Sequence, residues 1–303
     1  MGKKAYESDG LVFANKVMDF MEETVGESVR GLSPRETVDV LFENQAAFAG
    51  EREFYVMADA LLLSSMYLKT RQAYRLPRNV VRELKRSSIG DFDPNNLLAR
   101  LPFNAFYVDT RGESVTGRFE NPKGFLYARI DMDGNERHMF GEFGDEMGFY
   151  PIAVPRGEGT FGEKVERSMG GIPDSSRSKL EGYVRECHAM ASICAYIASV
   201  EEDVEVLYRE GGGGHRRSST ETVSCVGHKM GRALGEARVR YESEGKSRGG
   251  TVRPHVRQAH WANVWVGPRK GRTDGKFGDH QEPRWIPPVF VMGDGSEIEV
   301  LHG

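Results

Sequence analysis

The chain has 303 residues, of which 39% are hydrophobic and 28% are charged, as in a folded globular protein. It contains no run of about 18 consecutive apolar residues, so the sequence predicts no membrane-spanning helix. The formal net charge of −4 excludes polyanion binding by the surface as a whole. Three cysteines do not make a disulfide framework, and we therefore expect a reducing compartment, the cytoplasm.

The first hundred residues are predicted to be helical. Ser33, Pro34 and Glu36 have the pattern of an N-terminal capping box, and apolar residues follow at helical spacing. The run Phe54–Tyr67 is apolar on most sides, which predicts a buried helix. We therefore expect a helical N-terminal domain over residues 1–100.

Strand patterns follow the helical part. Phe103–Asp109 and Phe125–Asp131 are aromatic and β-branched runs, and Asp133-Gly134-Asn135 predicts a tight hairpin turn. Ser175–Val200 is expected to form one long helix. The predicted fold class is α+β, with an N-terminal helical part followed by a mixed, largely antiparallel sheet with helices; the second domain is expected over residues 101–303.

Positive charge and tryptophan are concentrated near the C-terminus. Between Lys246 and Trp285 there are nine Lys or Arg residues and three acidic residues, a local balance of +6 (9 − 3). All three tryptophans lie in the same stretch. Because the rest of the chain is acidic, this asymmetry predicts a binding surface for an anionic or polar partner.

If Arg253–Val266 is one extended strand, alternate side chains face opposite ways. The even-numbered face is mostly aliphatic and is expected to pack on a helix. The odd-numbered face would present guanidinium groups and indole rings to a ligand. In the alternative interpretation the tryptophans fill a core and the arginines pair with acids. The candidate binding residues are Arg253, His255, Arg257, His260, Trp261, Asn263, Trp265 and Trp285.

The two histidines of this segment allow a second hypothesis. Either His255 or His260 could act as the acid–base group of a ribonuclease. On a regular strand the two imidazoles face opposite sides, so a shared site would need a bend or a bulge. On the packing face, His260 is expected to be held by hydrogen bonds.

Two other patterns suggest cofactor or metal sites without completing them. Gly157–Gly162 matches GxGxxG, but the hairpin signals before it favour a glycine-rich turn. Cys225 and His228 have metal-ligand spacing, with Cys187 and His188 as a possible second pair, yet buried cysteines are the expected outcome. The sequence therefore predicts no cofactor, no metal and no catalytic residue, and favours a binding protein over an enzyme.

The segment Arg253–Pro268, followed by Arg284–Val291, resembles the C-terminal signature of a type V-A anti-CRISPR family. Leu101–Asp109 and Gly231–Tyr241 are similar to the same family to a lesser extent. Members of that family block biosynthesis of the type V-A Cas effector nuclease: they recognise the N-terminal peptide of the nascent nuclease, and translation-coupled loss of its mRNA follows. The resemblance implies this peptide, on translating ribosomes in the host bacterial cytoplasm, as the partner, with RNA as a possible partner and no membrane.

The predicted function is therefore an anti-CRISPR-like inhibitor that binds the nascent N-terminus of a Cas effector nuclease. The alternative is a ribonuclease or RNA-binding protein of a mobile genetic element that uses the same basic segment. Gln258 and Ala262 depart from the family pattern, which favours an arginine and a histidine there. These departures weaken proposals that need a histidine pair around Trp261.

Overall fold

The computed structural model describes residues 8–26, 28–48, 50–87, 98–132, 134–145, 148–155, 161–168, 177–200, 203–209, 221–244, 252–266 and 280–300. The α-helices of these ranges are α1 (Asp9–Val25), α2 (Pro34–Glu43), α3 (Glu51–Thr70), α4 (Arg78–Arg86), α5 (Phe161–Ser168), α6 (Arg177–Ser199) and α7 (His228–Glu244), with a short 3₁₀ helix at Gln45–Ala47. The strands are β1 (Gln72–Arg75), β2 (Ala105–Asp109), β3 (Gly124–Met132), β4 (Asn135–Phe143), β5 (Phe149–Pro155), β6 (Val204–Arg209), β7 (Thr222–Val226), β8 (His255–Arg257), β9 (His260–Val266), β10 (His280–Ile286), β11 (Val289–Val291) and β12 (Glu297–Glu299).

A seven-stranded sheet organises the fold, in the order β5-β4-β3-β2-β1-β7-β6. Strand β1 runs parallel to both of its neighbours, β2 and β7. The other pairings are antiparallel. The predicted fold class, helices followed by a mixed and largely antiparallel sheet with helices, is confirmed. Strand β1 comes from the first hundred residues, and the division into domains at residue 100 stays a prediction.

Alternating side chains divide the sheet between two hydrophobic cores. Ala105 and Tyr107 of β2 belong to the core that packs under α1 and α3. Phe106 and Val108 of the same strand belong to the core that packs under α4, α6 and α7. Apolar side chains on both faces of β2 are what a strand covered by helices on both sides requires. The predicted helix over Phe54–Tyr67 is part of α3 and contributes to the first core.

The capping box and the hairpin turn that the sequence predicts are both present in the structure. The Ser33 hydroxyl accepts a hydrogen bond from the backbone N–H of Glu36 (3.2 Å), and the Glu36 carboxylate accepts one from the backbone N–H of Ser33 (2.7 Å). These two bonds satisfy N–H groups that have no partner within the helix. The hairpin between β3 and β4 turns at Gly134, whose φ of +82° lies in the left-handed region that favours glycine.

A buried carboxylate holds the loop that follows β2. Glu142 on β4 is fully buried and accepts hydrogen bonds from the backbone N–H groups of Val115 (2.5 Å) and Thr116 (3.1 Å). It also accepts hydrogen bonds from the hydroxyls of Ser114 and Thr116. Four donors converge on one carboxylate, so its charge is compensated by hydrogen bonds inside the protein.

Asp59 on α3 makes stability depend on pH. Burial raises the pKa of Asp59 to about 6, a shift that the positive charge of Arg137 only partly opposes. The folded state therefore binds more protons than the unfolded state between about pH 4 and pH 6, and the free energy of unfolding falls as pH rises through this window.

Asp59→Asn is expected to remove this loss and to stabilise the protein at neutral pH by up to about 2 kcal/mol. Urea unfolding of both proteins at acidic and neutral pH checks this; equal pH profiles would contradict it.

No helix in the described ranges is long and apolar enough to span a membrane.

Candidate functional site

Strands β8 to β11 form one bent antiparallel ribbon, here called the C-terminal ribbon. His255 lies opposite Val291, and His260 lies opposite Ile286, so both halves keep the same register. The pairing is interrupted where Gln258-Ala259 faces Pro287-Pro288. Proline has no backbone N–H, which accounts for an interruption of the ladder at this point. The prediction of one uninterrupted strand over Arg253–Val266 is therefore wrong.

Two of the predicted ligand-binding tryptophans lie in the core. Trp261 and Trp285 face each other across β9 and β10 and are only 6% and 3% exposed. The indole N–H of Trp261 donates to the hydroxyl of Ser192 on α6 (2.8 Å), and that of Trp285 donates to the hydroxyl of Ser87 after α4 (2.8 Å). The alternative interpretation, in which tryptophans fill the core, is confirmed for this pair.

The predicted assignment of the two faces of β9 is wrong, because the indole ring of Trp261 occupies a buried position. On β9 the aliphatic Ala262 and Val264, expected to pack on a helix, lie on the outer face and stay half-buried, whereas Trp261 points inward. A tryptophan buries far more apolar area than alanine or valine, so this orientation gains more free energy. Further along the same inner face Trp265 is half-buried and Asn263 is exposed.

The polar candidates do lie at the surface. Arg253, His255, Arg257 and His260 are all exposed. The guanidinium of Arg257 forms an ion pair with the carboxylate of Glu297 (2.8 Å), which agrees with the alternative in which arginines pair with acids. Both partners are well exposed, so this pair is of the kind that contributes little to stability.

The two histidines lie on different strands and make similar local contacts. The Nδ1 atom of His255 bonds the carbonyl oxygen of Arg253 (3.0 Å), and that of His260 bonds the carbonyl oxygen of Gln258 (3.4 Å). Because a carbonyl oxygen only accepts, the Nδ1 atom is the donor in each of these contacts. His260 is exposed, which contradicts its expected place on the packing face, whereas the expected hydrogen bond to its ring is present. The ribonuclease hypothesis stays a prediction.

Strand β8 offers an open edge with side chains on both of its faces. It is the last strand of the sheet β12-β11-β8, and the structure shows no strand beyond it among the described residues. His255 and Arg257 of β8 project at alternate positions with Val256 (41% exposed) between them, and Arg253 and Val252 (39% exposed) lie just before the strand. The sequence interpretation assigned Val256 to the packing face and gave Val252 no role; only the structure shows that both valines are exposed beside an open edge.

The other predicted sites do not complete a functional centre in the described ranges. There, no three His, Cys, Asp or Glu side chains come together as metal ligands. Burial raises the pKa of the Cys187 thiol well above its usual range, and lowers the pKa of His188 to about 4. Both residues therefore stay uncharged at neutral pH. Of the GxGxxG pattern, Gly157–Thr160 lies outside the described residues.

Comparison with known proteins places the chain in a family. The model of the AcrVA2-like family, described as the anti-CRISPR type V subtype A2 family, matches residues 74–293. The chain belongs to this anti-CRISPR family. The match begins in β1 and ends just after β11, so it includes the whole C-terminal ribbon. Membership makes the protein an inhibitor directed at type V-A CRISPR systems.

A solved structure agrees with this AcrVA2-like assignment at the level of the fold. The crystal structure of AcrVA2 aligns with 93% of this chain and 94% of its own, with a TM-score of 0.50 and 15% sequence identity. At that identity the likeness shows a common fold, and a coverage of 93% means that it extends beyond the residues matched by the family model. No curated protein sequence matches the chain.

Proposed function

We propose that this AcrVA2-like protein binds the N-terminal peptide of a type V-A Cas effector nuclease during its synthesis, and that loss of the nuclease mRNA follows. The open edge of β8, flanked by exposed arginines and valines, is the observation that supports peptide binding. Membership of an anti-CRISPR family directed at type V-A systems supports the choice of target.

An extended peptide would bind β8 by adding a strand to the sheet. Its backbone would exchange hydrogen bonds with the open edge, which gives affinity, while its alternate side chains would meet the two faces of β8. Arg253 and Arg257 would bind carbonyl or carboxylate oxygens of the peptide, and Val256 would contact an apolar side chain. Trp261 and Trp285 would serve as anchors of the C-terminal ribbon rather than as ligand contacts.

Peptide titration tests the site. Synthetic N-terminal peptides of type V-A effectors are expected to bind the wild type, and Arg253→Ala together with Arg257→Ala is expected to weaken binding at least about tenfold, since a hydrogen bond to a charged group contributes about 1.5–3 kcal/mol. Arg240→Ala is a matched control, because Arg240 is also exposed and also paired with a carboxylate, that of Glu244 on α7 (3.5 Å). Equal affinity of the double variant and the wild type would overturn the site assignment. Failure of every such peptide to bind would overturn the proposed target.

Backbone methylation of the peptide tests the mode of binding. In a strand added to an edge, every second N–H of the peptide points at the sheet and the others point away. N-methyl groups on one alternate set of peptide residues are therefore expected to abolish binding, whereas the same number on the other set leaves it nearly unchanged. Equal effects of both sets in the titration would argue against strand addition at β8.

A further inference from the structure

A second exposed cationic surface lies on α4, outside the C-terminal ribbon. Val80, Val81 and Leu84 of this helix are fully buried, whereas its outer face carries Arg78, Arg82, Lys85 and Arg86. These four cations recur at helical spacing along one face, and at 1.5 Å per residue Arg78 and Arg86 are separated by about 12 Å along the helix axis. The helix thus presents a row of positive charge while its other side packs in the core.

Among the described residues, one carboxylate forms ion pairs with this row, and the row keeps a net positive charge. Glu113, in the loop after β2, lies within 3.8 Å of Arg78, 2.9 Å of Arg82 and 3.6 Å of Lys85. Within the described ranges, four cations against this single carboxylate leave an excess of +3 (4 − 1). The acid within the helix itself, Glu83, is buried and forms an ion pair with Arg238 of α7 (3.2 Å).

We propose that this row on α4 binds the phosphate backbone of a nucleic acid. Arg78 and Arg82 are 53% and 45% exposed and lie one turn apart, so two guanidinium groups can reach successive anionic groups of one strand. Protein surfaces that bind nucleic acids are polar and strongly positive, whereas the centre of a protein–protein interface is apolar. The outer face of α4 consists of four long charged side chains and has no apolar centre. Outside α4 and the Lys246–Trp285 segment, acidic residues outnumber basic ones, so a polyanion is repelled there and its approach to the positive surfaces is favoured.

The row of cations on α4 and the C-terminal ribbon are connected by hydrogen bonds to the same side chain, that of Ser87. Ser87, which follows Arg86 directly, accepts the indole N–H of Trp285 (2.8 Å). The same hydroxyl donates to the carbonyl oxygen of Glu83 (2.7 Å). The end of α4 is therefore bonded to β10, so the protein holds the proposed phosphate-binding row in a fixed relation to the ribbon. Phosphate binding does not depend on peptide binding, and the two proposals can fail separately.

Salt-dependent binding of labelled oligonucleotides tests this proposal. Fluorescence anisotropy with a short single-stranded RNA and the matching DNA is measured across a series of KCl concentrations on the full chain. Arg78→Ala with Arg82→Ala is expected to weaken binding at least about tenfold and to reduce the slope of log K against log salt by about 1.4, two phosphate contacts at about 0.7 each. Lys16→Ala with Arg30→Ala removes the same charge near α1, across the sheet, and is expected to change neither quantity.

A variant with the opposite expected effect separates phosphate binding from loss of folding. Glu113→Gln removes the carboxylate that competes for the row, and is expected to tighten binding and to steepen the salt slope. No salt-dependent binding by the wild type, or unchanged binding in the double-alanine variant, would overturn the proposal. Displacement of the RNA by polyglutamate at equal charge concentration would also overturn it, in favour of an acidic protein ligand. Different affinities for the RNA and the DNA would show which nucleic acid the row prefers.

Discussion

Trp285→Ala is expected to lower the free energy of unfolding by about 3–5 kcal/mol, the largest effect of any single substitution considered. The indole is 3% exposed, contacts the ring of Tyr196 edge-on at 5.4 Å between ring centroids, and donates to Ser87. Its removal leaves a large cavity and takes away the only indole donor to that hydroxyl among the described contacts. Urea unfolding followed by circular dichroism measures the change.

Two companion variants separate packing from hydrogen bonding. Ser87→Ala keeps the indole in place and removes two neutral hydrogen bonds, that from the indole N–H and that to the carbonyl oxygen of Glu83, so a loss of about 2 kcal/mol is expected. Trp265→Ala removes an indole that is only half-buried, and its loss is expected to be smaller than that of Trp285→Ala. If Trp265→Ala proved as destabilising as Trp285→Ala, the account of Trp261 and Trp285 as the buried anchor of the ribbon would be wrong.

Glu142→Ala is expected to destabilise the fold by about 3 kcal/mol, although alanine is smaller and apolar. The substitution leaves the backbone N–H groups of Val115 and Thr116 without their acceptor, and each unsatisfied buried donor costs about 1–3 kcal/mol. Glu120→Ala is the matched control, because Glu120 is exposed and its loss is expected to be close to neutral. Thermal unfolding of the two variants decides this; a shift in Tm for Glu142→Ala no larger than that for Glu120→Ala would contradict the role given to the buried carboxylate.

The features of the fold that could be predicted from the sequence are those that depend on local signals. The capping box at Ser33 and the turn at Gly134 depend on residues that are neighbours in the chain, so their geometry follows from spacing alone. The position of β1 could not be read in this way. Its four residues pair with β2 and β7, and the latter partner lies about half the chain away. Only tertiary pairing decides that such a short stretch becomes a central strand.

The same difference between local signals and tertiary pairing explains which features of the candidate site could be predicted from the sequence. Position in the sequence indicated that the region from Arg253 to Trp285 was unusual in charge and aromatic content, but could not say which side of β9 meets the core. The buried indoles also need acceptors for their N–H groups, and these are the hydroxyls of Ser192 on α6 and Ser87 after α4, both distant in the sequence. The pairing of Arg257 with Glu297 likewise joins strands that are not adjacent in the sequence. The open edge of β8 follows from sheet order, which no local pattern records.

A recoded effector gene tests most directly the proposed recognition of the nascent peptide of the effector nuclease. One version of the gene carries synonymous codons at its start, so that the mRNA changes and the peptide does not. A second version carries a compensated frameshift there, so that the peptide changes and the mRNA remains nearly the same. The effector mRNA is measured in cells with the wild-type inhibitor and in cells with the double variant of Arg253 and Arg257.

If the nascent peptide is recognised, the wild-type inhibitor is expected to lower the mRNA of the synonymous version and to leave that of the frameshifted version unchanged. The double variant of Arg253 and Arg257 is expected to lower neither. Loss of the frameshifted mRNA together with survival of the synonymous one would show that the nucleotide sequence is recognised, and would contradict the account.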